Sequence, residues 1–207
     1  MPQRETEQGG TRREAIVEAT IRVVGRKGYL AASVADVLTE AGVSRTTFYK
    51  HFDDKQQCFL AAYERAIASI HDAAEAACGG GESWRGRATD GLAGVVELLA
   101  AEPALARVAI VEISTAGAEA RERHWTDLER FAALLGPGPQ SKMPELPANT
   151  ALMAASAVAG LIFDELREGR AEGLPGLLPE LEFALLVPYL GPRVAAEALA
   201  APTPASR

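Results

Sequence analysis

Cysteine is scarce in this sequence: its 207 residues hold two, Cys58 and Cys78, and their spacing matches no metal or redox motif. If both lie on one continuous helix, a rise of 1.5 Å per residue sets them about 30 Å apart, which excludes a disulfide between them. Two reduced, buried thiols are expected, because no basic residues cluster around either sulfur to lower its pKa. Runs of β-branched residues are few, while Ala, Leu, Glu and Arg dominate, so the chain leans helical. The opening Met1-Pro2-Gln3-Arg4-Glu5 has no apolar core of the signal-peptide kind. The longest near-continuous apolar stretch, Ala151 to Phe163, is too short to span a bilayer. A cytoplasmic protein with no membrane partner is therefore expected. There is no nucleotide-binding glycine loop, no Gly-x-Ser-x-Gly and no paired metal-ligand motif. His71 and Glu75 are four apart, but such surface pairs are ordinary; no metal site, no cofactor and no catalytic residue are assigned. No internal repeat or heptad array is visible.

Positive charge is also in deficit, at −7 net, which argues against a nucleic-acid partner until the chain is divided. Residues 1–57 hold 9 Lys and Arg against 8 Asp and Glu, and the remainder holds 12 against 20. The acidity belongs to the second part. A local basic surface from Arg45, Lys50 and Lys55 remains available in the first.

What is present is a series of capped helices. Residues 1–10 are polar and contain Gly9-Gly10, so they read as a disordered tail. Thr11-Arg12-Arg13-Glu14 forms a capping box ahead of Ile16, Ala19, Val23 and Val24 at helical spacing, and Gly28 ends that helix. Ser33-Val34-Ala35-Asp36 caps a short helix that stops at Gly42, and Ser44 caps another running through Phe52. Asp53-Asp54 opens a longer helix to about Ala77, broken by Gly79-Gly80-Gly81. Further helices are expected over about 83–101, 103–115, 118–135, 149–168 and 179–190, and a short one over 193–200 is open. Residues 136–147 hold four prolines and two glycines and read as a loop.

The helices joined by Ala41-Gly42-Val43-Ser44 have the turn chemistry of a helix-turn-helix. Phe48 and Phe52, four apart, share the packing face, which leaves Arg45, Thr46, Tyr49 and Lys50 outward as donors for phosphates and groove edges. A small helical hairpin with a polar outer face would show the same short pattern. The longer string is more specific. Gly28-Tyr29, Ser33-Val34-Ala35-Asp36-Val37, Ala41-Gly42-Val43-Ser44, Phe48-Tyr49-Lys50-His51-Phe52 and Lys55, in that order and spacing, resemble the tetracycline-repressor family of regulators. The resemblance covers about 50 residues.

It implies that Ser33, Ser44, Tyr49, His51 and Lys55 hold the DNA backbone, and that Arg45, Thr46 and Lys50 lie where bases are read. Thr47 is grouped with the phosphate set, plain helix surface being its alternative. Position 46 is often glycine in the family, so Thr46 departs from the pattern. The resemblance further implies an all-α chain, with an N-terminal three-helix DNA-binding bundle joined to a larger helical domain for ligand binding and dimerisation. The expected limits are a tail at 1–10, the helix-turn-helix domain at 11–57, a connecting helix at 58–78, the larger domain at 79–201 and a tail at 202–207.

The helix at 149–163 is apolar nearly all round, with small residues throughout, so it must be buried on more than one face. Ala151, Ala154, Ala155, Val158 and Ile162, with Leu181 and Leu185 on the last long helix, are the expected homodimer interface; a central helix in a monomer core is the competing account. At 100° per residue, Glu112 points inward between apolar neighbours, opposite Arg107, and needs a partner. Either it pairs with Arg121 or His124, or these groups line a ligand cavity with Trp125, Leu128, Phe131, Met153 and Phe163. The expected partners are thus a palindromic double-stranded operator, a second copy of the chain and a small molecule. A regulator without an inducer and a helical enzyme are the alternatives.

Overall fold

The computed structural model describes residues 2–79, 83–136, 138–139 and 146–200, all helix, turn or loop with no strand among them. The tail expected at 202–207 lies outside these residues, as do residues 137 and 140–145 of the Pro-Gly loop. The chain divides into two units: residues 1–68 with 104–121, and residues 69–103 with 122–207. This differs from the expected division. The long fourth helix passes from one unit to the other, and residues 104–121, expected in the C-terminal domain, belong with the N-terminal helices.

In the first unit α1 (Pro2–Lys27) precedes α2 (Val34–Ala41) and α3 (Arg45–Tyr49), and α4 (Lys55–Cys78) begins there. α1 starts at Pro2, not at Thr11, so the expected tail is helical and the Thr11–Glu14 box lies inside the helix. Helix propagation past a cap signal adds a backbone bond per residue, and nothing between Pro2 and Gly10 but the two glycines opposes it. The helix ends where expected: Gly28 has φ 80° and its N–H donates to Val24 O. Ile16, Val17, Ala19, Ile21, Val23 and Val24 of α1, Val37, Phe48, Phe52, and Cys58, Phe59, Leu60 and Tyr63 of α4 form the core. Cys58 bonds Thr20 across it at 3.0 Å, and burial raises its thiol to about 11.

The remaining segment of this unit, from residue 104, was expected as part of one helix over 103–115. It is instead a short α6 (Pro103–Ala106), numbered after α5 (Trp84–Ala101) of the second unit, then a wide π-helical turn (Arg107–Val111) and a tight 3-10 turn (Glu112–Thr115). Its start meets α1 at Gly25, where a Cβ would stand 2.6 Å from Ala104 Cβ and 2.7 Å from its Cα. Only a glycine admits that approach.

In the second unit α5 packs on the C-terminal half of α4 through glycines. A Cβ on Gly91 would meet Cys78 Sγ at 2.6 Å, and one on Gly94 would meet Ala73 O at 2.8 Å. α7 (Ala118–Leu135), α8 (Thr150–Arg167), a 3-10 segment (Ala171–Leu177) and α9 (Leu178–Ala195) follow, α9 bending at Gly191 with φ 76°. α8 and α9 pack on each other, and Ala154, Val158 and Ile162 of the one and Leu181, Leu185 and Leu186 of the other are all buried within the single chain. Five residues expected at a dimer interface (Ala154, Val158, Ile162, Leu181 and Leu185) are therefore core residues. Ala151 and Ala155 are half-buried beside them. The open face of α8 is a different one, carrying Met153, Ala157, Gly160 and Leu161. A helix apolar all round does not reveal from its sequence which side its own chain covers.

Candidate nucleic-acid interface

α3 has five residues, too short to persist alone, so its position rests on caps and on one aromatic anchor. Gly42 closes α2 in the left-handed conformation, φ 63°, with its N–H on Leu38 O. Ser44 then restarts the chain, its Oγ accepting the Thr47 N–H at 3.1 Å. Phe48 is 1% exposed and packs against Phe52 at 5.7 Å, while Arg13 of α1 lies over the Phe52 ring at 5.2 Å. Ion pairs fix α2 to α1: Lys27 to Asp36 at 2.6 Å, and Arg22 and Arg26 both to Glu40 at 2.7 Å. Lys27 and then the Ser33 cap hold the Asp36 carboxyl down at about 2.

With Phe48 and Phe52 inward, Arg45, Thr46, Tyr49 and Lys50 are exposed along the opposite side of α3 and the turn that follows. The side chains of Arg45, Thr46 and Lys50 make no hydrogen bond or ion pair among the described residues, and Tyr49, 48% exposed, meets Phe48 in a T-shaped ring contact at 5.3 Å. Two cations, a hydroxyl and a phenol therefore face outward with their donors uncommitted. Ser44 and Thr47 share one hydroxyl bond at 3.0 Å, and since each hydroxyl has one hydrogen, one remains to donate outward. His51 is half-buried at the end of this run.

Two residues of the expected phosphate set are engaged elsewhere. The Ser33 hydroxyl donates to Asp36 Oδ2 at 2.8 Å and accepts the Asp36 N–H, so its hydrogen serves the α2 cap. Lys55 turns inward to Tyr29 O at 2.9 Å and Ala32 O at 3.1 Å, its ammonium 4.2 Å above the Tyr29 ring. Two of its three donors thus hold the α1–α2 loop and one is left over. Sequence spacing places Lys55 in the first turn of α4 but cannot show that carbonyls of a preceding loop lie within reach.

The expected ligand group does not come together. Glu112 is 5% exposed, but its partners are Arg107 Nε at 2.9 Å and the Tyr29 backbone N–H at 2.7 Å, not Arg121 or His124. The cause is the π turn. The Glu112 N–H donates to Arg107 O, an i→i+5 bond that stacks residues five apart on one face, where an α-helix would part them. Glu112 and Arg121 lie in the first unit, and Arg121 is exposed. In the second unit Trp125 and Met153 are 53% and 60% exposed, while Leu128, Phe131 and Phe163 are half-buried. His124 is held below its ordinary pKa by burial, against the pull of Asp127. Sequence reading took His71 only as half of an ordinary surface pair with Glu75; its ring stacks on Phe131 at 3.9 Å and its buried Nε2 has no partner among the described residues. Tyr189 OH is buried in the same way, its ring 4.6 Å from Trp84.

A short cap-positioned helix that follows a glycine turn and shows uncommitted donors to solvent has the geometry of a helix-turn-helix. Residues 16–62 match the family described as bacterial regulatory proteins, tetR family. A curated relative, the HTH-type transcriptional regulator BetI of Rhizobium meliloti (strain 1021), is 35% identical over 66 residues, 32% of this chain and 32% of the relative. The chain thus aligns with about a third of that relative's length. Among solved structures, the fatty acid degradation regulator FadR of Bacillus halodurans superposes with a TM-score of 0.73 at 18% identity, covering 86% of this chain and 94% of that one. FadR of Bacillus subtilis, solved in complex with stearoyl-CoA, gives 0.60 at 16% identity, over 86% and 98%. At these identities the likeness speaks for the fold, an all-helical chain. Among the described residues no helix is long and apolar enough to cross a membrane.

Proposed function

We propose that the chain is a sequence-specific, DNA-binding transcriptional regulator that acts as a homodimer, represses, and leaves its operator when a small molecule binds the second unit. The observation that carries the DNA reading is the exposed set Arg45, Thr46 and Lys50, uncommitted on a helix whose other side is anchored by Phe48. Arg45 is the residue proposed to make a bidentate guanine contact, with Thr46 and Lys50 reading beside it. Ser44, Thr47, Tyr49, His51 and the spare donor of Lys55 take phosphates, and Ser33 acts through the α2 cap. Dimerisation is assigned to the open α8 face around Met153, Ala157, Gly160 and Leu161, in place of the core residues first expected. A twofold dimer sets recognition helices about 34–36 Å apart for successive major grooves. Ligand response is supported by the unpartnered His71 Nε2 beside Phe131, a polar group that would cost about 1–3 kcal/mol if left unsatisfied.

Selection from a random duplex library with the purified full chain tests the DNA reading. A palindrome should be enriched, and Arg45→Ala should weaken its binding by roughly 1–3 kcal/mol while relaxing preference at one base pair of each half-site. An absence of any enriched duplex sinks the reading.

A further inference from the structure

We infer that Glu112 is a positioning residue of the DNA interface, holding the α1–α2 loop through the backbone of Tyr29. This rests on the DNA-binding reading above. Both backbone groups of Tyr29 are taken by charged side chains from distant parts of the same unit. Its N–H donates to Glu112 Oε2 at 2.7 Å, and its carbonyl accepts from Lys55 Nζ at 2.9 Å. Lys55 continues to Ala32 O, the residue before the Ser33 cap of α2. Glu112, Tyr29, Lys55 and Ala32 thus form one bonded chain that sets where α2 begins, and α3 follows α2 after the Gly42 turn.

General stability does not account for the carboxylate. α1 ends with a single Gly28 N–H to Val24 O bond, which leaves the next N–H, that of Tyr29, to find another acceptor. A buried carboxylate is a costly one, and a negative charge at a helix C-terminus opposes the helix dipole. Yet the site is shaped for it. Gly28 admits the carboxylate, whose oxygens would lie 3.3 and 3.4 Å from a Cβ there, and the π turn brings Arg107 round to Oε1 at 2.9 Å. The group is neutralised on one side and aimed at a single loop amide on the other.

The test compares the full-length wild-type chain with Glu112→Gln and Glu112→Ala, using the duplex enriched from the random library. Deuterium uptake of a peptide covering 28–33, the thermal midpoint and the duplex Kd are measured together. Glu112→Ala should bind about tenfold more weakly, a difference of about 1.4 kcal/mol, and Glu112→Gln, whose amide oxygen can still accept the Tyr29 N–H, should lose less. The loop amides should exchange faster, and the midpoint of Glu112→Gln should match or exceed that of wild type. Duplex affinity within about twofold of wild type in both variants overturns the inference. So does a loss of affinity no larger than the fraction of unfolded chain explains. No enriched duplex for the wild type would instead strike the DNA reading itself.

Discussion

Residues 33–52 and residues 104–115 belong to the same unit and are held in opposite ways. The first segment is secured mostly by groups a few residues away: Ser33 with Asp36, Gly42 with Leu38, Ser44 with Thr47. The second has no side-chain cap on its π or 3-10 turns and takes its place from α1, through the gap at Gly25 and the Tyr29 amide. A segment held by its own caps keeps its shape when its surroundings change. One held by distant contacts shares the fate of those contacts, and a substitution far along the chain reaches it.

The comparison can be pressed hardest at Phe48, the most deeply buried side chain of the first segment. Phe48→Ala should cost about 3–5 kcal/mol, because a fully buried ring is removed, and chemical denaturation measures it. Gly25→Ala should cost less, about 1–3 kcal/mol of overpacking against Ala104, larger than the roughly 0.5–1 kcal/mol gained in helix propensity. Deuterium uptake should rise at 104–115 while 33–52 stays protected; uniform change across both would break the contrast. Ser44→Ala should cost about 1 kcal/mol by thermal unfolding, with exchange rising at 44–49 and unchanged at 104–115. The smallest effect is in acid. The Asp36 carboxyl titrates at about 2 when folded, below its ordinary 3.8, so its contribution is complete above the unfolded value and is lost as pH falls toward 2. A stability-against-pH series should show a shallower acid limb for Asp36→Asn.

The same contrast governs what could be read from residue order. The Ser33 and Ser44 caps, the Gly42 turn and the inward pair Phe48 and Phe52 are relations between near neighbours, so spacing reveals them. Glu112 is also legible as an inward carboxylate in need of a partner. Its partner is not, because assuming 100° per residue set Arg107 on the far side, and no pattern in Arg107–Val111 marks a turn that widens. Spacing places Lys55 on the right helix but does not reveal its bonds to Tyr29 O and Ala32 O, since a long flexible side chain goes to whichever carbonyls the fold supplies. For α8, small residues on every side left the inner face and the open one indistinguishable until α9 was in place.

The two thiols make the protein a convenient chemical blank. Cys58 stays protonated at any physiological pH and is sealed in the core, and the half-buried Cys78 gives its S–H to Arg87 O at 3.2 Å with its own pKa raised by burial. Neither is set up to react with peroxide or a maleimide in the native chain. A cysteine placed at exposed position 46 would therefore take a fluorophore in preference to both, and would report groove entry from the recognition helix itself.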